Sequence, residues 1–143
     1  MNLVKFILIF IVAITLQARE NPFVATEAYI EEKSILEEKL QETIKPFEFL
    51  QIALYAQKCI LNISNHKLFR YFKITKEKKI VLDYKGSKKI ITKIVKPKSN
   101  GDIKSITIAD HPEENYFRIV IQYHKNIDKH NIEYENNLTT INF

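Results

Sequence analysis

Cysteine, glycine and proline are scarce in this chain of 143 residues, which holds one, two and four of them. The lone cysteine, Cys59, excludes an intramolecular disulfide, so stability must come from a packed core. Its neighbours Ile60 and Leu61 supply the apolar setting in which a thiol is inert, and Cys59 reads as a small buried side chain. No cysteine sits just after the N-terminal apolar run to receive a lipid. Gly86 and Gly101 stand alone, which excludes a phosphate-cradling loop. So little glycine and proline also excludes collagen-like and low-complexity character, and no internal repeat is present. The four histidines, His66, His111, His124 and His130, lack H-E-x-x-H spacing and a nearby cysteine. His124, Asp128 and His130 lie close enough in sequence to be drawn together, but they read as turn residues. Asp110-His111-Pro112-Glu113-Glu114 sets carboxylates beside a histidine without a nucleophile, and no G-x-S-x-G supplies one. These absences predict a protein that is not an enzyme and uses no cofactor or metal.

Long hydrophobic runs are missing too. The one extended apolar stretch, Phe6 to Leu16, is shorter than the roughly twenty residues a helix needs to span a bilayer. It follows the basic Lys5 and leads through Gln17-Ala18 into polar sequence, the layout of a secretory signal peptide over 1–18 with cleavage after Ala18. Leu16 is large for its place near the cleavage site, so the alternative is an uncleaved N-terminal anchor, the one case that would bring a membrane into play. Residues 19–46 read as a polar leader and a helical spacer. Within them Glu27 to Lys45 predicts an amphipathic helix, with Tyr29, Leu36, Leu40 and Ile44 near one stripe and Pro46 ending it.

From Phe47 to Phe143 the pattern becomes short runs of Ile, Val, Tyr, Phe and Thr between turn-like clusters. Phe47 to Leu54 and Lys58 to Ile63 read as strands, although Leu50 to Leu61 is apolar enough for a helix. Lys79–Tyr84, Lys88–Lys96, Ile103–Ala109, Tyr116–Tyr123 and Leu138–Phe143 read as further strands. Alternation puts Ile80, Leu82 and Tyr84 on one face, Ile106 and Ile108 on another, and Phe117, Ile119, Ile121 and Tyr123 on a third. The fold class is therefore mainly β, a small antiparallel β-sandwich preceded by a signal peptide and one amphipathic helix.

The chain carries a net charge of +5, and the excess is local. Between His66 and Lys104, thirteen lysines and arginines face three acids. Such a face either recruits an anionic polymer or keeps strands soluble and guards sheet edges. Nucleic acid is excluded as a partner, because an exported chain does not meet it and no nucleic-acid motif is present. Asn62-Ile63-Ser64 and Asn137-Leu138-Thr139 match the glycosylation triplet; only Asn137 has an acid, Glu135, two places before it, and it is the candidate acceptor.

Several of these runs share a pattern: Lys79-Ile-Val-Leu-Asp-Tyr84, Ile103-Lys-Ser-Ile-Thr-Ile108, His111, Tyr116-Phe-Arg-Ile-Val-Ile-Gln-Tyr123 and Thr140-Ile-Asn-Phe143. An I-x-I strand runs through a polar turn into an aromatic-Arg-Ile/Val-Val strand, here Ile106, Ile108, Tyr116, Arg118, Ile119 and Val120. The stretch from about Lys73 to Phe143 resembles the AMIN domain, and the leader Ala18-Arg-Glu-Asn-Pro-Phe23 is similar to the mature start of small exported AMIN proteins. Phe47 to Arg70 lies outside the resemblance. What the resemblance implies is a periplasmic β-sandwich that binds peptidoglycan and localises itself or a partner to the wall. Its contact residues are then expected at Tyr116, Arg118, Lys89 and Lys93, with rings stacking on sugars and cations pairing with carboxylates. The alternative is an assembly adaptor that binds an envelope protein through a sheet edge or the 27–45 helix.

Overall fold

The computed structural model describes residues 39–143. Ten strands run through them in chain order: β1 Leu40–Phe47, β2 Leu50–Tyr55, β3 Lys58–Ile63, β4 Leu68–Ile74, β5 Lys79–Lys85, β6 Lys93–Val95, β7 Ile103–His111, β8 Tyr116–Tyr123, β9 Asn131–Glu135 and β10 Leu138–Asn142. They form two antiparallel sheets of five, ordered β1-β2-β3-β10-β9 and β4-β5-β8-β7-β6. The expected sandwich is the fold observed.

Alternation drives the packing. Leu50, Ile52 and Leu54 of β2, with Cys59, Leu61 and Ile63 of β3, turn one face inward, and Ile141 of β10 joins them. Opposite stand Ile80, Leu82 and Tyr84 of β5, Ile106 and Ile108 of β7, and Phe117, Ile119, Ile121 and Tyr123 of β8. Each large aliphatic side chain buried here contributes roughly 1.5–3 kcal/mol of transfer free energy. Cys59 is fully buried, and burial pushes its thiol up to about 12, so it is inert as expected.

The turns follow from residues that tolerate left-handed backbone. β4 and β5 are joined by a 3-10 turn ending at Lys78 with φ of 55°, and β7 and β8 by a matching turn ending at Asn115 with φ of 53°. Asn136 and Asn137, at φ of 50° and 65°, make the two-residue hairpin between β9 and β10, a geometry asparagine favours.

Several expectations need correction. Leu40–Lys45, expected as the end of a helix, lies in β1, with Thr43 opposite Ala53 and Ile44 opposite Ile52. β-branched Thr43 and Ile44 suit a strand, and Pro46 is tolerated because β1 is an edge. The earlier part of that helix, the signal peptide and the polar leader lie outside the described residues. Phe47 to Leu54 is two strands, split by a turn at Glu48-Phe49. Leu50 to Leu61 is two strands joined by a turn at Ala56-Gln57, not a helix, because alternate residues of each strand, Leu50, Ile52 and Leu54 and then Cys59 and Leu61, reach the core. Of Lys88–Lys96 only Lys93–Val95 pairs; Lys89 adopts φ of 51°, and Asp110 accepts bonds from the Ser87 hydroxyl and the Lys88 amide, folding the segment into a loop. β4 and β9 were not anticipated.

Polar bonds join the two sheets and their loops at several places. The Tyr84 hydroxyl meets Thr139 Oγ1 at 2.7 Å inside the core. Lys93 donates to the Pro46 carbonyl at 2.9 Å along one side, and Lys73 donates to the carbonyls of Asp128 and His130 along the other. Replacing Tyr84 by Phe should strand a buried hydroxyl on Thr139 and cost about 1–3 kcal/mol. Thr139→Val should cost a similar amount, and the double variant less than the sum, as read by urea denaturation of all four proteins.

Candidate functional site

On strands buried on one face, the other face points outward. In the second sheet it nevertheless holds a fully buried carboxylate, Asp83. Register explains how: Arg70 on β4 and Arg118 on β8 stand directly opposite Asp83 on its two sides. Arg118 donates from Nε to Oδ1 at 2.7 Å and from Nη2 to Oδ2 at 3.0 Å. Arg70 donates from Nε to Oδ2 at 2.6 Å, with Nη2 at 2.6 Å from the same oxygen. Burial alone would push the Asp83 carboxyl up; the hydrogen bonds and charges of Arg118 and Arg70 outweigh it and hold the group below the usual carboxylate range. Two guanidiniums on one carboxylate leave a net positive charge at the surface.

Aromatic rings frame the two cations. Arg70 lies 5.5 Å from the Phe69 ring centroid and 5.7 Å from that of Tyr116. Arg118 lies 5.5 Å from Tyr116 and 5.9 Å from Phe72. Tyr116 stacks on His111 with centroids 4.5 Å apart and meets Phe69 edge-on at 5.9 Å. Tyr116 is itself buried, whereas Phe69 and Phe72 are 42% and 39% exposed. The arrangement presents flat apolar rings beside oriented N–H donors, which suits a ligand with both sugar faces and carboxylates.

Of the expected contact residues, Tyr116 and Arg118 are brought together here. Lys89 sits exposed in the loop between β5 and β6. Lys93 reaches across to β1, where its ammonium bonds Pro46 and lies 5.2 Å from the Phe47 ring. No hydrogen bond, ion pair or ring contact among the described residues ties either lysine to Tyr116 or Arg118. Asn137 is exposed at the β9–β10 turn, where its Oδ1 accepts the Tyr134 hydroxyl at 3.3 Å. Asp83, Arg70, Phe69 and Phe72 were missed. Alternation alone put Asp83 opposite the core-facing side of β5, and an outward carboxylate beside an outward arginine was the available signal. Among the described residues no group of three His, Cys, Asp or Glu side chains could hold a metal ion.

A second polar anomaly lies at the far end of β8. His130 is buried, edge-on to Tyr123 at 4.7 Å and stacked on Phe143 at 5.3 Å. Burial and the positive charge of Lys73 lower its pKa, against a smaller opposing pull from Asp102, so the ring is neutral at pH 7.

The AMIN domain family model matches residues 53–141, more than half of the chain. The match begins well before Lys73 and takes in most of Phe47 to Arg70, which the sequence resemblance had left out; β2, β3 and β4 therefore belong to the same domain. No curated protein and no solved structure matches the chain.

Two outcomes follow from these groups. Removing Arg70 and Arg118 together should leave Asp83 uncompensated and cost roughly 3–5 kcal/mol, while adding Asp83→Leu should recover most of it, as measured by urea midpoints. For His130 the folded pKa lies below the unfolded value of about 6.5. Above that pH the group has no effect. As pH falls below it the unfolded chain binds a proton the folded chain refuses, so stability declines. Melting temperatures from pH 7.5 to 5 should fall less in His130→Phe than in the parent.

Proposed function

Because the chain belongs to the AMIN domain family, whose members are non-catalytic, periplasmic, peptidoglycan-binding modules, we propose that it is an exported envelope module that binds peptidoglycan through the outer face of β4, β5 and β8. The observation that carries this reading is the pair of guanidiniums held on the buried Asp83 among exposed rings. Peptidoglycan offers both matching chemistries, carboxylates on its stem peptides and sugar rings along its glycan. Asp83 orients Arg70 and Arg118 in advance, which lowers the entropic cost of engaging an anion. Each arginine keeps N–H groups beyond those donated to Asp83. Phe69 and Phe72 supply the faces on which a sugar stacks. Localising itself or a partner to the wall is the biological role that follows.

A second reading keeps the same compartment and makes the chain an adaptor for an envelope protein. What favours it is β4, an edge strand of seven residues whose Tyr71 is 53% exposed. An extended peptide could add to that edge.

Binding to purified sacculi separates the two. Arg70→Ala keeps Arg118 on Asp83 and so preserves the fold; combined with Phe72→Ser it should reduce the sacculus-bound fraction about tenfold, equivalent to roughly 1.4 kcal/mol. A circular-dichroism melt of the same protein checks folding. Full retention of binding by the folded double variant would remove this face from consideration.

A further inference from the structure

Between Lys85 and Lys98 stand six lysines, Lys85, Lys88, Lys89, Lys93, Lys96 and Lys98, and no acid interrupts them. The same segment carries the two most exposed large apolar side chains among the described residues, Ile91 at 90% and Ile94 at 63%. A lysine or a single isoleucine in water is ordinary. Both features concentrated in one segment mark a surface that is cationic and apolar at once.

The segment is built, and its shape decides which side chains project. At one end Asp110 of β7 accepts the Ser87 hydroxyl at 2.7 Å and the Lys88 amide at 3.1 Å, with Lys89 at φ of 51°. At the other end Glu42 of β1 accepts the amides of Lys98 and Ser99 at 2.9 and 3.0 Å and the Ser99 hydroxyl at 2.8 Å. The two carboxylates are thus engaged in holding the loop. Ile90 and Val95 pack against the core, which leaves Ile91 and Ile94 outside. Lys88 and Lys93 fold over the rings of Phe49 and Phe47, at 4.8 and 5.2 Å. The exposed ammonium groups of Lys85, Lys89 and Lys96 have no hydrogen bond or ion pair among the described residues, and Glu113 and Glu114 of the next turn form no ion pair with them.

We propose that this segment docks on an anionic phospholipid bilayer, with Ile91 and Ile94 entering the interface and the lysines lying against the phosphates. A hydrated polyanion would satisfy the lysines and leave both isoleucines in water. A protein partner would have to provide an apolar pocket ringed by acids. A bilayer with anionic lipid presents that pairing over its whole surface, an apolar layer beneath a plane of negative charge. Lysine suits it, because its stem follows the apolar side chains while its ammonium stays at headgroup level. β6 and β4 are opposite edges of one sheet, four strand spacings or roughly 19 Å apart. The bilayer contact therefore leaves Arg70, Phe69 and Phe72 open, and it needs nothing from the N-terminal segment.

The test is fluorescence of the full chain carrying a polarity-sensitive dye on Thr92→Cys, beside Ile91, or on Glu135→Cys, on an edge of the other sheet; Cys59 is fully buried and does not take the dye. Vesicles of phosphatidylglycerol and phosphatidylethanolamine in equal parts should move the Thr92→Cys emission to the blue and leave that of Glu135→Cys unchanged, and phosphatidylcholine vesicles should move neither. Ile91→Ser with Ile94→Ser should raise the lipid needed for half the shift at least about tenfold, through the apolar burial lost. Lys89→Gln with Lys96→Gln should raise it about tenfold as well, through the lost attraction to the leaflet. All four side chains are exposed, so circular dichroism should stay that of the parent. Arg70→Ala with Phe72→Ser should keep the vesicle response, which separates failure here from failure of sacculus binding at the outer face. Equal shifts at both dye positions, as attachment through residues 6–16 alone would give, would overturn the proposal. So would an equal Thr92→Cys shift on lipid-free sacculi, which would assign the loop to the wall, or no shift on anionic vesicles, which would leave a protein partner.

Discussion

Asp83 has no solvent exposure, although it lies on the outer face of its sheet, and much of the second sheet is organised by what that burial demands. A carboxylate out of water must be paired on more than one side. The demand is met by arginines at the positions directly opposite on both neighbouring strands, which ties β4, β5 and β8 into one electrostatic row. A slip of one residue in either pairing would bring a side chain of the wrong face against Asp83. Charge therefore reinforces the register that the apolar inner face already favours. The same two arginines also place cationic groups at the outer face of that sheet.

β8 shows how one strand serves several tasks. Its inward residues, Phe117, Ile119 and Ile121, are core, and Tyr123 ends that row against His130. Its outward residues begin with Tyr116 and Arg118 in the aromatic cluster and continue with Val120. Because β8 is central in its sheet, neither set is free to move independently of the other. The lysines are less uniform than their density suggests. Lys73 and Lys93 close the two sides of the sandwich through backbone carbonyls, and Lys78 bonds the His124 carbonyl. Part of the basic block thus holds the sandwich together through backbone carbonyls.

The inward rows of β5, β7 and β8 were legible in the sequence because a two-residue period survives any uncertainty about partners. Tyr116 and Arg118 were legible through the aromatic-Arg motif of the family. β4 was hidden because Arg70 and Lys73 interrupt its apolar pattern, and both side chains proved to have distant partners. β9 was hidden because Asn131, Glu133 and Glu135 face solvent on an edge strand and leave only Ile132 and Tyr134 as a signal. In Lys88–Lys96 the apolar content was real, but Ile91 ended 90% exposed in a loop shaped by Asp110. The pairing of Asp83 with Arg70 could not be read locally at all, since it depends on strand register. The ring packing around His130 likewise depends on a loop, β8 and Phe143 meeting at one end of the sandwich.

The pairing of β10 with β3, with Ile141 opposite Cys59, has a kinetic meaning. β10 lies between β3 and β9, so the first sheet remains open in its middle until that late strand arrives. Contacts so distant along the chain pay their loop-closure entropy before they return any packing, and sheets built on them fold slowly. Translation alone cannot complete this domain early. For a chain proposed to leave the cytoplasm, such late closure would favour passage as an unfolded polypeptide, with the sandwich compacting once β10 has joined β3 and β9.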